Sequence, residues 1–228
     1  MAFVFKKIVS LARKRTHNPL KEENLLQELL PKMAVVVPED GGGVEKLADI
    51  FRGLSTKAYN SYVLEIGFGS GENILSLAKN NPDMGVMGCE VFRGGVVKLL
   101  EAIKTSALEN IRIWHDDALE LIPRLPLNSL SLIYILHPDP WPKRKHHNRR
   151  LVNSENLKLL ASKMIKGAKL LIITDHENYA QHIARVIPEV LDLFDLEFDL
   201  YPEIVKTKYR LKAEAKGIES KYFCLVKK

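Results

Sequence analysis

The run Tyr62-Val63-Leu64-Glu65-Ile66-Gly67-Phe68-Gly69-Ser70-Gly71 decides the architecture. A short apolar stretch closing on a cluster of glycines reads as a strand ending in a tight turn that faces a ligand. Glycine lets the backbone turn sharply and come close to a bound group. Residues 72–80 then read as a helix, and strand and helix signals alternate from there on. Further strands are expected at residues 86–91, 111–114, 130–136 and 170–174, with helices at 96–104 and 179–191. Residues 130–136 are continuously apolar, as a strand covered on both faces should be. Asn153 and Ser154 are candidate caps for a helix running to Lys166, with Gly167 as its expected stop. Residues 196–200 and 222–226 read as a closing strand pair. The expected fold is therefore α/β: a Rossmann-like, doubly wound, mostly parallel seven-stranded sheet with a closing antiparallel pair.

Upstream of the turn the pattern is helical. Leu25, Leu26, Leu29 and Leu30 recur at helix spacing until Pro31 interrupts, and Gly41-Gly42-Gly43 forms a joint. Leu47, Ala48, Ile50, Phe51 and Leu54 make a second apolar stripe, and both stripes read as packing faces. Residues 1–21 contain no acid but carry Lys6, Lys7, Arg13, Lys14, Arg15 and Lys21. Such a start is either an organelle transit peptide or a basic arm that docks on a polyanion. The arm is favoured, because the basic theme returns later in the chain. It leaves residues 22–228 as one folded domain.

Composition excludes several classes. With 228 residues, 46% hydrophobic, 13 Gly and 11 Pro, the chain is neither disordered nor collagen-like and is long enough to bury a core without staples. No apolar run approaches the roughly 20 residues of a membrane helix. Cys89 and Cys224 lie in apolar stretches without ligand spacing, which suggests reduced thiols in a cytoplasmic protein. No metal is expected, since His146 and His147 have no Cys or His partner at metal spacing. His17, His137, His176 and His182 read as surface or packing residues. The formal net charge of +6 biases the chain towards anionic partners.

The glycine turn departs from the dinucleotide fingerprint, which would need a glycine where Glu72 stands; a carboxylate there would repel a pyrophosphate. The pattern Glu65-x-Gly67-x-Gly69-x-Gly71 instead resembles the first motif of class I S-adenosylmethionine-dependent methyltransferases. That cofactor carries sulfonium and ammonium charges and no phosphate, so it tolerates nearby acids. Glu90 ends the second strand about 20 residues past the loop, where a carboxylate can take both ribose hydroxyls. His115-Asp116-Asp117-Ala118 ends the third, at a place suited to an adenine amino group.

The fourth strand runs into Pro138-Asp139-Pro140-Trp141-Pro142-Lys143-Arg144-Lys145-His146-His147-Asn148-Arg149-Arg150. One proline separates Asp139 from Trp141, so the D-P-P-aromatic signature of amino-directed methyltransferases is not met. A basic tract directly after this strand end would grip phosphates and set the register of a polynucleotide. The stretch resembles the most specific motif of bacterial tRNA (guanine-N7-)-methyltransferases, which act on guanosine 46 of the variable loop. Gly88-Cys89-Glu90-Val91 with Gly94-Gly95-Val96, Thr174-Asp175 and Thr207-Lys208-Tyr209 resemble further motifs of that family.

The resemblance implies a class I methyltransferase fold and S-adenosyl-L-methionine contacts from Glu65, Gly67, Gly69, Gly71, Glu90, Asp117 and Asp139. It implies that Asp139 is also the catalytic residue. Lys143, Asp175, Thr207, Lys208 and Tyr209 would touch the guanosine, and Lys145, His146, His147, Arg149 and Arg150 would contact tRNA. The chain departs from the family pattern at Arg210, where a Glu is usual, and at His176, where a Trp is common. Two other readings stay open: another RNA or amino-group methyltransferase on this fold, and a tRNA-binding protein without catalysis. Either a monomer or a homodimer fits.

Overall fold

The computed structural model describes residues 19–38, 40–52, 58–198, 217 and 219–228. In chain order its elements are α1 (Pro19–Glu28), α2 (Leu30–Met33), α3 (Leu47–Phe51), β1 (Ser61–Ile66), α4 (Glu72–Asn80), β2 (Met84–Cys89) and α5 (Arg93–Ser106). There follow β3 (Ile111–Trp114), α6 (Ala118–Leu121), β4 (Leu130–Leu136), α7 (Ser154–Lys163), β5 (Met164–Thr174), α8 (Glu177–Val186), β6 (Phe194–Glu197) and β7 (Lys221–Lys227).

All seven strands join one sheet in the order β3-β2-β1-β4-β5-β7-β6. β1 to β5 run parallel, and β7 enters antiparallel between β5 and β6. The expected sheet and its closing pair are therefore present. The order reverses beside β1, which pairs with β2 on one flank and β4 on the other. That is the switch point of a doubly wound sheet, where the loops leaving adjacent strands diverge and open a crevice at their carboxyl ends.

Side chains alternate across the sheet. Val63 joins Tyr134, Leu171 and Cys224 in one cluster, whereas Leu64 joins Ile133, Leu170 and α7 residues Leu157 and Leu160 in another. A third cluster packs α4 and α5, through Ile74, Val96, Leu99 and Leu100, on Val86, Ile111 and Ile113. α1 lies on α5 through Leu25 and two ion pairs, Lys21 to Glu101 (3.0 Å) and Glu23 to Arg93 (2.6 Å). Pro19, the first residue described, opens α1, which runs through residue 21. The boundary expected after residue 21 thus falls inside a helix.

Several local expectations shift: β2 runs two residues earlier than expected, α5 is longer at both ends, and three others have identifiable causes. α7 is capped as expected, Asn153 Oδ1 accepting from Asn156 N at 2.9 Å, but it stops at Lys163 rather than near Gly167. Met164 is fully buried and pairs with Leu130, while the Lys163 amine donates to the carbonyls of Pro123 and Leu125. The chain therefore enters β5 early, and Gly167, with φ 79°, sits in the irregularity between the Leu130 and Leu132 pairings. α8 ends at Val186, and Ile187–Val190 continues as a 3-10 turn around Pro188. β6 starts two residues early at Phe194, whose side chain is fully buried; residues 199–200 lie outside the described ones.

Candidate active site

Gly67, Gly69 and Gly71 have φ of 75°, 57° and 83°, the left-handed conformations for which glycine is suited. Gly67 N–H donates to Cys89 O at 2.8 Å, which ties the turn to the end of β2. Across the turn stands the start of α5. A Cβ on Gly95 would overlap Gly69 O, so helix and glycine turn touch backbone to backbone. Sequence reading had set Gly95 among the family motifs without a neighbour to explain it.

Three carboxylates surround this turn. Glu65, next to last in β1, is 2% exposed and accepts from Asn73 Nδ2 at 3.0 Å. Burial pushes its carboxyl up to about 7; the Asn73 bond opposes that shift, and Glu72 and Glu90 add to it. Glu90 bridges both walls, accepting from Gly69 N (2.8 Å) and Phe92 N (2.7 Å). Desolvation still holds its carboxyl above the usual range, against these backbone bonds and with a contribution from Asp139. Asp117 caps α6, its Oδ1 accepting from Leu119 N at 2.9 Å, while its carbonyl takes the Trp114 indole N–H. The neighbouring Cys89 thiol is buried, and desolvation with the nearby Asp117 and Glu90 keeps it protonated.

The end of β4 completes the crevice. Ile66 pairs with Ile135, so Asp139 leaves the sheet beside the glycine turn, near enough to Glu90 to raise its pKa. Asp139 is itself raised by desolvation although its side chain reaches solvent. Asp175, at the end of β5, lies 3.5 Å from His137 Nδ1, which brings the two strand ends together.

Beyond Asp139, Arg144–Arg149 forms a 3-10 turn. With three residues per turn, positions three apart stack on one ridge. His146 and Arg149 share the ridge against Trp141, the ring centroids of His146 and Trp141 lying 5.9 Å apart and the Arg149 guanidinium 5.0 Å above the indole. Lys143, Arg144, Lys145 and Arg149 are exposed, a cationic rim beside the crevice. His147 and Arg150 share the inward ridge. Arg150 is 3% exposed, donating to Pro140 O and Asn178 Oδ1 and lying 4.9 Å over the Tyr179 ring. Expected as a tRNA contact, it is instead turned into the protein, because the chain leaves the 3-10 turn in an extended conformation at Arg150 and its guanidinium finds acceptors on Pro140 and Asn178.

The pattern suits a cationic, phosphate-free ligand. Desolvated acids, with no counter-cation among the described residues, line a turn whose glycines leave room for close approach, and Glu90 keeps lone pairs for further donors. The family described as "Putative methyltransferase" matches residues 59–222. A tRNA (guanine-N(7)-)-methyltransferase of Wolbachia pipientis wMel is 45% identical over 66% of this chain and 67% of its own length. That of Zymomonas mobilis is 36% identical over 89% and 87%. The chain belongs to the tRNA (guanine-N7-)-methyltransferase family. Among solved structures, the 16S rRNA methyltransferase KamB shares the fold at a TM-score of 0.57 with 18% identity, over 81% of this chain and 96% of that one.

Two departures from the family pattern behave differently. His176 is the cap of α8, its Nδ1 accepting from Tyr179 N at 3.3 Å, so it holds the helix that carries Tyr179 and Asn178. Arg210 lies outside the described residues, as do Thr207, Lys208 and Tyr209. Among the described residues no helix is long and apolar enough to cross a membrane, and no group of three or more His, Cys, Asp or Glu is arranged to hold a metal. Sequence reading missed Asn73, the reason for Gly95 and the inward course of Arg150. None left a signal of its own, since each depends on a contact with another element.

Proposed function

We propose that the chain methylates N7 of guanosine 46 in the variable loop of tRNA, using S-adenosyl-L-methionine. The observation that carries this is geometric: the glycine turn held by Glu90 and the strand end that leads to Asp139 lie side by side at the switch point, with the exposed cations of the 3-10 turn directly after them. Family membership supports the reaction class.

Glu90 suits the two ribose hydroxyls, Asp117 the adenine end, and the buried Glu65 the ammonium side. When bound, S-adenosylmethionine supplies a methyl on a sulfonium, so N7–C forms as S–C breaks and the positive charge passes to the purine. N7 carries a lone pair and no proton, so no residue has to act as general base. What the chain supplies is alignment and negative potential. Asp139 faces the developing purine cation. Asp139 and Asp175 both accept hydrogen bonds, and guanine offers N1–H and an exocyclic amine where adenine offers no N1–H. In this reading Lys143 reaches the nucleotide, and Lys145, His146 and Arg149 hold phosphates around it. The flipped-out base would enter from that rim.

The test is transfer of labelled methyl to unmodified tRNA followed by aniline cleavage at N7-methylguanosine. Cleavage at position 46 is the expected result. Label without aniline cleavage would refute the N7 reading, and cleavage elsewhere would refute the position.

A further inference from the structure

The turn that carries Asp139 is poorly able to hold itself. Pro138, Pro140 and Pro142 alternate with Asp139 and Trp141, so three of five residues lack an amide hydrogen. On the strand side the last backbone bond is His137 N to Ile173 O, and the next described along the chain is His146 N to Lys143 O. His137 and Trp141, one on each side, have φ of 51° and 45°, strained values for residues with bulky side chains. Such a conformation persists only where something outside the turn over-determines it.

Asp175 meets His137 and Arg149 covers Trp141, and the contact that reaches the middle of the turn is Arg150. Its Nε donates to Pro140 O at 3.0 Å, its second guanidinium nitrogen to Asn178 Oδ1 at 2.6 Å, and its plane lies over the Tyr179 ring. The far end is anchored in turn, because Tyr179 is fully buried and its hydroxyl accepts from Val152 N at 3.1 Å. We propose that Arg150 is a positioning residue: its buried guanidinium straps the Asp139 turn to α8 and so sets where the catalytic carboxylate stands. Only a planar fork bonds two acceptors and stacks on a ring at once, which a lysine ammonium cannot reproduce. The inference rests on the reading of Asp139 given above. It separates two adjacent arginines, Arg149 for the polynucleotide and Arg150 for the turn.

The experiment compares Arg150→Lys, Asn178→Ala and Asn178→Asp in the full chain. Each is assayed for single-turnover methyl transfer to tRNA, affinity for S-adenosylhomocysteine, and tRNA affinity across salt concentrations. Arg150→Lys should slow the single-turnover step roughly 10- to 100-fold, the scale of an ångström-sized misplacement. Asn178→Ala should slow it less, and Asn178→Asp, which keeps the acceptor, should hold the parental rate. Cofactor affinity and the salt slope should stay parental in all three. Asn178 is exposed, so its variants carry the test even if Arg150→Lys does not fold. Parental rates in both Arg150→Lys and Asn178→Ala overturn the strap. In a fourth variant, Arg150→Gln, which removes the charge, a salt slope shallower by about one also overturns it, returning the residue to phosphate binding. Asp139→Asn tells the two readings apart. If it loses the rate while Arg150→Lys and Asn178→Ala both keep it, the strap alone fails; if it keeps the rate while Arg150→Lys loses it, the Asp139 reading fails and takes the strap with it.

Discussion

Replacing Gly95 by alanine is a sharp test of the cofactor crevice. The new methyl would overlap Gly69 O, meet Gly69 C at 3.0 Å and lie 3.3 Å from Glu90 Cγ. The first two are backbone atoms, so no rotamer change relieves the clash; either the glycine turn or the start of α5 must move. Moving the turn also stretches the 2.8 Å bond from Gly69 N to Glu90. Overpacking of this kind costs about 1–3 kcal/mol. If that cost falls on the bound form, affinity weakens between about 5- and 150-fold, at about 1.4 kcal/mol per tenfold. Gly94→Ala is the control, because its methyl meets only the Phe92 ring, at 2.8 Å, and that ring can turn aside. Alanine favours a helix over glycine by up to about 1 kcal/mol, so the control should hold or raise Tm. Calorimetric titration with S-adenosylhomocysteine and thermal unfolding read both quantities. A Gly95→Ala protein that binds as tightly as the parent, with an unchanged or higher Tm, would refute the interlocked crevice.

Three further outcomes are expected. Asp139→Asn should lower single-turnover methyl transfer by roughly 100- to 1,000-fold, the scale of losing one electrostatic stabiliser, with S-adenosylhomocysteine affinity near parental; full activity would contradict its role. Arg149→Ala should weaken tRNA binding and reduce the salt slope by about 0.7–0.9, the change expected when one phosphate is no longer neutralised, and an unchanged slope would count against the rim. Glu65 bears on pH dependence. Its carboxyl is held near 7 in the folded chain against about 4.5 unfolded, so the native state keeps a proton that the unfolded state has released. Stability of the free protein therefore falls as pH rises from about 4.5 to about 7 and levels off above. Glu65→Gln should flatten that slope in denaturant titrations; an identical slope would place the proton elsewhere.

Much of the fold was legible because its signals are local. The alternation of apolar runs with helical stripes specified the sheet, and the glycines after Ile66 marked the edge at which the crevice opens. The elements that shifted did so where distant contacts outweighed local preference. Gly167 reads as a helix stop, yet the pairing of Met164 with Leu130 pulled the chain into a strand before reaching it.

The residue types around the crevice were likewise written in the sequence: acids at three successive strand ends, an aspartate between prolines, and cations directly after. What they do individually was decided by the tertiary structure. Arg149 and Arg150 are identical neighbours, but one lies over Trp141 at the surface and the other beneath the turn against Tyr179. Glu65 reads as one acid at the end of an apolar run, but its burial in the sheet lifts its carboxyl towards neutrality. Periodicity and turn chemistry belong to a few consecutive residues and survive as sequence. Desolvation, close backbone approach and hydrogen-bond partners arise between segments tens of residues apart, and exist only once the sheet has brought those segments together.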